Sequence, residues 1–336
     1  MRIAVTYGPM CLQRTPEQTW SDPRTGSEIG WRRIVEGLQR LGHKVTRAAH
    51  GDERATISIN EPDSLRGTSG LRICCFWLNE FSFCKPGFDE HVDVYLSPSD
   101  AHREMAIGAW GAPKPEKWWT NYLGCDPELY GNVQKVSGRV VYCSSPDRGL
   151  HRVLEAWPRI KRAVPHATLH VFYRLEPWIR GFDETPYFPP IEKLRHRALW
   201  VERALRRMSG LGWGITVHDS VDRATMAREM SRAEVLAHPC ETTSWSEGFS
   251  CTVLEGCAAQ ACPIVSDCDA LGEVYAPIDP FPVGDWQGFA DRMVRALTDA
   301  AWRGEMNAKA RSLAERLTWK AHVERLNEVI LGHIKD

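Results

Sequence analysis

The chain has 336 residues, enough for two domains of ordinary size, and its 42 lysine and arginine residues nearly balance its 43 aspartate and glutamate residues. A net charge of −1 gives no electrostatic reason to expect nucleic acid as a partner, and the sequence has no run of about 18 apolar residues that could span a membrane. The 11 cysteines, an odd number without a CxxC pair, are typical of reduced thiols in a cytoplasmic protein and argue against a structural zinc site.

Strand-like and helix-like segments alternate along the chain, a pattern typical of parallel α/β layers. The first residues, MRIAVTY, are too short and polar for a signal peptide and predict a strand at 2–7. A helix is predicted at 27–42, because apolar residues recur there at helical spacing before Gly42. The sequence predicts further strands at 45–47, 71–77 and 92–96 and loops at 51–70 and 110–122.

A polar, glycine-containing stretch near 130–138 precedes a fresh strand, so the domain boundary is predicted there. Residues 1–133 would form the first domain, 134–316 the second and 317–336 a C-terminal helix. The second domain repeats the alternation. Its predicted strands lie at 139–143, 167–173, 214–218, 234–238 and 263–266, and its predicted helices at 149–164, 191–209 and 223–231.

The stretch 244–255, SWSEGFSCTVLE, is the most informative of the chain. It places Glu247 in a loop and Glu255 about a turn and a half to two turns along the helix that follows. Unpaired N–H groups at a helix start favour an anion. This layout suits a ligand with a phosphate at the helix end and hydroxyl groups on either side, as in a nucleotide-sugar. The spacing alone is also compatible with two acids that have no joint role.

Residues 230–273 resemble the donor-binding core of the retaining glycosyltransferases of family GT4, which have the GT-B fold. The matching pieces, in order, are AEVLAHP (233–239), EGF (247–249), Glu255, AA (258–259), PIVSD (263–267) and ALGE (270–273). Two further matches are SSPDRGL (144–150), with the helix and strand after it, and LGCDPELY (123–130), which is similar to the family's crossing between domains. The resemblance is close from about residue 123 onward and weak before it.

The resemblance implies an α/β protein with two Rossmann-like, doubly wound domains that face a central cleft. The C-terminal helix would cross back to the first domain. It implies a retaining, hexosyltransferase-type enzyme that moves a sugar from a UDP- or GDP-linked donor to an acceptor hydroxyl. No metal and no separate cofactor are expected, because GT-B enzymes stabilise the leaving diphosphate with cationic side chains and helix N-termini. The acceptor stays open among a glycan, a lipid-linked molecule and a small molecule, with peripheral membrane contact allowed.

The family's roles transfer to three charged residues of this sequence. Glu247 is expected to face the donor sugar and hold its hydroxyls, and Glu255 to accept hydrogen bonds from the ribose. Arg148, which follows a strand and opens a helix, is expected to hold the diphosphate. Glu247 and Arg148 are therefore the predicted catalytic residues. The predicted donor-binding residues are Glu255, Gly248, Phe249, Ser250, Thr252, Leu254, Arg174 and Gly26.

The sequence departs from the family pattern at three places. Relatives have two basic residues at the diphosphate, but the first position falls in the Cys143-Ser-Ser stretch, so Arg174 is the candidate substitute. The glycine loop of the first domain has only Gly26, which either approaches phosphate or acceptor or belongs to a helix start capped by Ser27. Gln260 replaces the usual glycine at a helix end, which indicates a different local conformation there.

Other interpretations remain open. An inverting GT-B transferase or a sugar-nucleotide epimerase would share these motifs. The missing basic residue favours a catalytically weak nucleotide-sugar-binding protein. Asp267 and Asp269 spell the DxD pattern of metal-dependent GT-A enzymes, but they follow a strand where the GT-B family has a polar turn. An NAD-dependent oxidoreductase is disfavoured, because no GxGxxG follows the first strand.

Overall fold

The computed structural model describes residues 1–7, 16–22, 25–79, 84–108, 114–131, 133–176, 179, 191–241 and 247–334. The chain divides into two compact units. The first comprises Met1–Cys125, Glu247–Cys251 and Arg316–Asp336, and the second comprises Asp126–Ser246 and Thr252–Glu315. The boundary predicted between residues 133 and 134 falls inside the second unit.

The first unit is built on a six-stranded parallel sheet in the order β2-β1-β3-β4-β5-β6. Its strands are β1 (Arg2–Tyr7), β2 (Lys44–Thr46), β3 (Ala55–Ile59), β4 (Leu71–Cys75), β5 (Val94–Ser97) and β6 (Trp118–Thr120). The helices between them are α1 (Pro16–Ser21), α2 (Gly26–Arg40) and α3 (Asp100–Gly108).

Helix α2 covers this sheet because its apolar residues recur every three or four positions. Trp31, Ile34, Val35 and Leu38 are buried in one cluster with the strands. The Trp31 Nε1–H donates to the carbonyl of Val5 at 2.9 Å, so the indole is both buried and satisfied. The apolar residues whose spacing predicted this helix thus form the face that packs on β1 and β3.

Two predicted loops of the first unit contain strands. The segment 51–70 holds β3, whose five residues are all buried between β1 and β4. The segment 110–122 holds β6, where Trp118 stacks on Tyr95 with ring centroids 4.4 Å apart. The loop prediction is wrong at these strands, because each is short and lies between Gly, Pro and polar residues that dominate its sequence window.

The second unit is built on a five-stranded parallel sheet in the order β11-β10-β7-β8-β9. Its strands are β7 (Arg139–Tyr142), β8 (Thr168–Phe172), β9 (Ile215–His218), β10 (Val235–His238) and β11 (Pro263–Val265). Its helices are α4 (Leu150–Ala163), α5 (Ile191–Gly210), α6 (Arg223–Arg232), α7 (Cys251–Ala258), α8 (Leu271–Val274), α9 (Trp286–Thr298) and α10 (Ala300–Arg316). Helix α7 begins at Cys251, the last residue of the segment Glu247–Cys251 that belongs to the first unit. The strands and helices predicted from 139 to 266 agree with these to within one residue at each end.

The last helix, α11 (Trp319–His333), belongs to the first unit. It starts at Thr318, whose hydroxyl accepts the N–H of Ala321 at 3.1 Å. It packs on α2 at Gly37, where an added Cβ would lie 2.7 Å from a Val323 methyl group. The predicted return of the C-terminal helix to the first domain is confirmed. Among the described residues, no helix combines the length and the hydropathy needed to cross a bilayer.

Candidate functional site

The second sheet reverses its strand order at β7, with β8 and β9 on one side and β10 and β11 on the other. Ligands of open α/β sheets bind beyond the carboxyl ends of the strands at such a switch point. Here β7 and β10 are hydrogen-bonded neighbours, with Val141 paired to Leu236. The segments that follow Tyr142 and His238 therefore form the candidate site of this unit.

The turn after β7 is held tightly against the end of β10. Gly149, the N-cap of α4, has a φ of 97°, in the left-handed region that favours glycine. A Cβ added to Gly149 would lie 2.0 Å from the carbonyl oxygen of Pro239, which directly follows β10. Only glycine lets the α4 N-terminus lie at the switch point in this way, where its N–H groups and the helix dipole favour an anion.

Arg148 precedes this glycine and lies at the same edge of the sheet. Its Nη1 donates to Asp147 Oδ2 at 2.7 Å, and Asp147 also accepts from the Ser145 hydroxyl. Tyr173, which follows β8, hydrogen-bonds Ser145, and burial raises the pKa of the Tyr173 phenol. The predicted phosphate ligand thus stands beside a helix N-terminus with a carboxylate next to it.

Ser144 belongs to the Cys143-Ser-Ser stretch that directly follows β7. Its hydroxyl lies 3.3 Å from His238 Nδ1, across the switch point. Cys143 is partly buried, and this burial raises the pKa of its thiol well above the usual range. The Cys143 carbonyl accepts from the Thr252 hydroxyl at 3.4 Å, which joins α7 to the end of β7. Among the described residues, Arg174 has no ion-pair partner and lies exposed beyond β8.

Glu255 is held by an arginine that sequence reasoning missed. Its Oε1 accepts from Arg223 Nη1 at 2.7 Å, and Glu255 is only 8 % exposed. Arg223 is the first residue of α6, directly after the N-cap Asp222 at the end of the β9 loop. The sequence signal was a helix start after a predicted strand, but the partner lies 32 residues away. The ion pair fixes the Glu255 carboxylate in the second unit.

The core side of α7 carries apolar residues. Leu254 has no exposed surface, so its side chain packs inside the second unit and supports the helix. Thr252 is partly exposed and serves as the hydrogen-bond link to Cys143. Of the predicted donor-binding residues on α7, the structure leaves Thr252 and Glu255 with the polar groups that can take part.

The end of α7 keeps the conformation that its sequence departure was expected to change. Gln260 has a φ of 53°, and its N–H donates to the Cys257 carbonyl at 3.1 Å. The N–H of Ala261 donates to Gly256 at 3.0 Å, which completes a Schellman motif. The prediction of a different conformation at Gln260 is wrong, because these bonds and the Lys135 ammonium on the Ala259 carbonyl hold the left-handed turn.

The segment 247–251 is packed within the first unit. The carbonyl of Gly248 accepts from the Ser99 hydroxyl at 2.7 Å, and an added Cβ at Gly248 would lie 2.7 Å from the His102 ring. His102 is buried, its Nε2 lies 2.7 Å from the Leu78 carbonyl, and burial lowers its pKa to about 4. A glycine at position 248 therefore leaves the room that the His102 ring occupies. Within this segment Glu247 is 9 % exposed.

The predicted glycine loop of the first domain also meets this segment. A Cβ at Gly26 would lie 3.9 Å from the Cys251 sulfur, so the start of α2 is next to residue 251. The cap of α2 is Thr25, whose hydroxyl accepts the Glu28 N–H at 3.2 Å while Glu28 accepts the Thr25 N–H. The alternative of a Ser27 cap is wrong, since the Ser27 hydroxyl accepts from Asn60 instead.

Two other members of the 247–251 segment are Phe249 and Ser250. Phe249 is buried, and Ser250 has a φ of 70°, a left-handed conformation that is uncommon for serine. The start of the SWSEGF motif, residues 244–246, lies outside the described residues. The structure thus brings Gly26, Gly248 and Cys251 together in one unit, and Arg148, Thr252 and Glu255 at the strand ends of the other.

Three basic side chains of the second unit converge on Glu241, the third residue after β10. His151 Nε2 lies 3.0 Å from its carboxylate, Arg152 donates to it at 2.7 Å, and Arg197 donates as well. Burial alone would raise the pKa of Glu241, but the bonds from His151 and Arg152 lower it to about 2. This network anchors the chain just before the motif and was not apparent from the sequence.

Asp267, the first acid of the DxD-like sequence, belongs to a turn. Its Oδ1 accepts the N–H of Val283 at 2.8 Å, and its own N–H donates to the Phe281 carbonyl at 2.9 Å. Asp269 has a φ of 51°. These contacts stabilise the chain after β11, where a polar turn was expected.

Residues 136–299 match the family model described as Glycosyl transferases group 1. Among solved structures, the chain is similar to sucrose-phosphate synthase (tll1590) from Thermosynechococcus elongatus, with a TM-score of 0.70, 13% identity and 98% of each chain covered. It is also similar to Anabaena Alr3699/HepE, with a TM-score of 0.68, 12% identity and coverage of 99% of this chain and 100% of that one. AviGT4, a glycosyltransferase involved in avilamycin A biosynthesis, has a TM-score of 0.65, 15% identity and coverage of 98% and 97%.

No curated protein sequence matches the chain. The structural likenesses extend over nearly the whole length at low identity, so they bear on the fold. Together with the family match they confirm the predicted fold class, an α/β protein of the GT-B type with two parallel sheets and helices between their strands.

Proposed function

We propose that this chain, a group 1 glycosyltransferase of the GT-B fold, is a retaining enzyme that moves a sugar from a UDP- or GDP-sugar to an acceptor hydroxyl without a metal ion. The observation that supports this reaction most is the turn at Gly149. It places Arg148 and the N-terminus of α4 at the switch point of the second sheet, where a diphosphate would be stabilised.

The choice of donor is supported by a similar structure. The Anabaena protein has been solved with UDP and with UDP-glucose. In this chain, Glu255 is a carboxylate held at one oxygen by Arg223, an arrangement suited to accept hydrogen bonds from the vicinal hydroxyls of a ribose. A nucleoside diphosphate would then extend from Glu255 toward Arg148.

Charge development at the leaving group supplies the mechanism. As the bond from the anomeric carbon to the donor phosphate breaks, negative charge grows on the diphosphate and positive charge grows on the sugar. Arg148 and the α4 N-terminus would stabilise the negative charge on the diphosphate, and Glu247 would orient the sugar by binding the sugar hydroxyls. The acceptor oxygen attacks the face that the diphosphate leaves, and the departing phosphate oxygen takes the acceptor proton. Configuration is then retained without a protein nucleophile.

The transfer reaction should proceed in the presence of EDTA, because arginine and helix N–H groups take the place of a cation. The assay incubates the enzyme with UDP- and GDP-sugars and a panel of acceptors, and the anomeric configuration of the product is read by NMR. Activity that EDTA abolishes and Mg²⁺ or Mn²⁺ restores would contradict the proposal and return attention to Asp267 and Asp269. An inverted product would favour the inverting alternative, and a changed sugar without transfer would favour an epimerase.

Glu255→Gln should weaken binding of UDP or GDP by roughly tenfold to a hundredfold, since hydrogen bonds to a charged group contribute about 1.5–3 kcal/mol. Isothermal titration with the free nucleotide measures this directly. The matched control is Glu315→Gln, an exposed acid on α10 that pairs with Arg311. Equal affinity for the two variants would remove Glu255 from the nucleotide site.

One observation favours the second candidate, a sugar-nucleotide-binding protein with little turnover. Arg148 is already paired with Asp147, and the Cys143-Ser-Ser stretch, where the family resemblance implies a second basic residue, contains none, so the positive charge at the diphosphate is reduced. Nucleotide binding with neither donor hydrolysis nor transfer would support this candidate. Slow hydrolysis of the bound donor in the absence of acceptor would argue against it.

A further inference from the structure

Helix α5 of the second unit has a buried apolar face and an exposed mixed one. The buried face contains Ala198, Val201 and Leu205, and there the helix packs on α4 and β9. The exposed face is a stripe at positions i, i+3, i+4, i+7, i+8 and i+11, a spacing that places its residues on one side of a helix. This Trp200 stripe consists of Trp200, Arg203, Ala204, Arg207 and Met208 of α5 and of Leu211, which directly follows the helix and donates its N–H to the Arg207 carbonyl at 3.1 Å. The proposed glycosyl transfer does not use it.

The Trp200 stripe lines an open hollow of about 400 Å³, which Pro158 of α4 and Trp213 complete. Trp213 is fixed there, because its carbonyl accepts the indole N–H of Trp157 at 2.9 Å. Trp200 is 41 % exposed and Leu211 is 61 % exposed. Single exposed apolar residues are common, but several that line one hollow indicate a surface that is covered in use.

The charges around this hollow are one-sided. Among the described residues, Arg203 and Arg207 have no ion-pair partner, whereas Arg206, one position outside the stripe, pairs with Glu202 at 2.6 Å. The residues that line the hollow include these two cations and no acidic side chain. Unpaired positive charge therefore lies beside the exposed apolar side chains.

We propose that the Trp200 stripe docks on an anionic lipid bilayer. Trp200 and Leu211 enter the boundary between headgroups and acyl chains, and Arg203 and Arg207 bind the phosphate groups around them. Apolar anchors flanked by unpaired cations on one helix face are the combination that holds a peripheral protein on an acidic membrane. The indole of Trp200 suits this boundary because it is apolar with one polar N–H. The docking would operate whichever donor or acceptor the site uses.

The test is co-sedimentation of the full-length protein with vesicles of phosphatidylcholine alone and of phosphatidylcholine mixed with phosphatidylglycerol. We expect binding to the mixed vesicles at low salt, with little to the neutral ones and a decline as salt rises. Arg203→Gln with Arg207→Gln should lower the partition coefficient by roughly twenty-fivefold, about fivefold for each cation removed. Trp200→Ala with Leu211→Ala should lower it by roughly tenfold or more through lost apolar contact.

Two control variants separate the stripe from general charge and exposure. Arg206→Gln removes a neighbouring cation outside the stripe, and Trp119→Ala removes a tryptophan of similar exposure, 43 %, in the first unit. Both should bind the mixed vesicles within about twofold of the parent protein, since neither lies on the stripe. Thermal melts followed by circular dichroism establish that each variant is folded.

Absence of binding to the mixed vesicles at low salt would overturn the proposal. So would stripe variants that bind as well as the controls. Loss of binding with the arginine pair but not with the apolar pair would overturn the insertion of Trp200 and Leu211. If light scattering shows self-association that the apolar pair abolishes, and vesicle binding is absent, a second copy of the chain covers the stripe instead. These measurements contain no sugar donor, so their outcome is separate from that of the transfer assay.

Discussion

Replacement of Gly149 by alanine is expected to lower the free energy of unfolding of the second unit by about 2–5 kcal/mol. Two costs add at this position. The φ of 97° is strained for any residue with a Cβ, and that Cβ would lie 2.0 Å from the Pro239 carbonyl oxygen. The obstacle is backbone, so no side-chain rotation relieves it. Either the α4 N-terminus or the end of β10 must move.

The unfolding midpoint in urea measures this effect, with Gly212→Ala as the matched control. Gly212 has a φ of 69° in the same unit, but no atom lies within 4 Å of its added Cβ. The control isolates the cost of a left-handed alanine, about 1–2 kcal/mol, from the cost of the contact. A similar loss in both variants would show that the turn at Gly149 yields freely. A folded Gly149→Ala protein should also bind nucleotide more weakly, because the α4 N-terminus is displaced.

The sequence predicted most of the second unit because apolar residues stand together in its strands and recur with helical spacing in its helices. Strands β7 (Arg-Val-Val-Tyr) and β10 (Val-Leu-Ala-His) are buried and mostly apolar, and α4 repeats its buried residues every three or four positions. The first unit was less readable. Strand β3, Ala-Thr-Ile-Ser-Ile, is buried on both faces, but Thr56 and Ser58 separate its apolar residues and polar flanks surround it, so its sequence resembles that of a loop.

The candidate site likewise contains residues that the sequence could indicate and long-range contacts that it could not. Arg148, Glu247 and Glu255 could be proposed because the motifs that contain them are continuous in sequence. The partners that define their surroundings could not. Arg223 reaches Glu255, 32 residues later, only when the first residue of α6 and helix α7 come together in the folded chain.

The reason for a glycine was also hidden from the sequence. The family resemblance made Gly248 a predicted donor-binding residue, and the structure gives contact with His102, which lies far earlier in the chain, as a reason for a glycine there. At Gln260 the rule that a left-handed helix end requires glycine led to the wrong prediction of a different conformation. Hydrogen bonds to Cys257 and Gly256 maintain a left-handed turn that glutamine would avoid alone.

Arg148→Ala should lower kcat by about 10²–10³-fold and raise the donor KM much less. The guanidinium meets a diphosphate whose charge is larger in the transition state than in the bound donor, so its contribution grows as the bond breaks. Its pairing with Asp147 keeps the side chain at the α4 N-terminus before the donor binds. Arg148→Lys should recover part of the rate, because lysine supplies the charge without the planar fork that contacts two phosphate oxygens.

Steady-state kinetics with a saturating acceptor separate kcat from KM, and Arg174→Ala is the matched comparison. Arg174 is an exposed arginine at the same edge of the second sheet, beyond β8 instead of β7. If Arg148 carries the developing charge, Arg174→Ala should change kcat by less than about tenfold, as expected of a charge farther from the reacting phosphate. A near-normal kcat for Arg148→Ala together with a large loss for Arg174→Ala would reverse the assignment. The diphosphate would then lie toward β8, and the pair formed by Arg148 and Asp147 would serve to hold the turn.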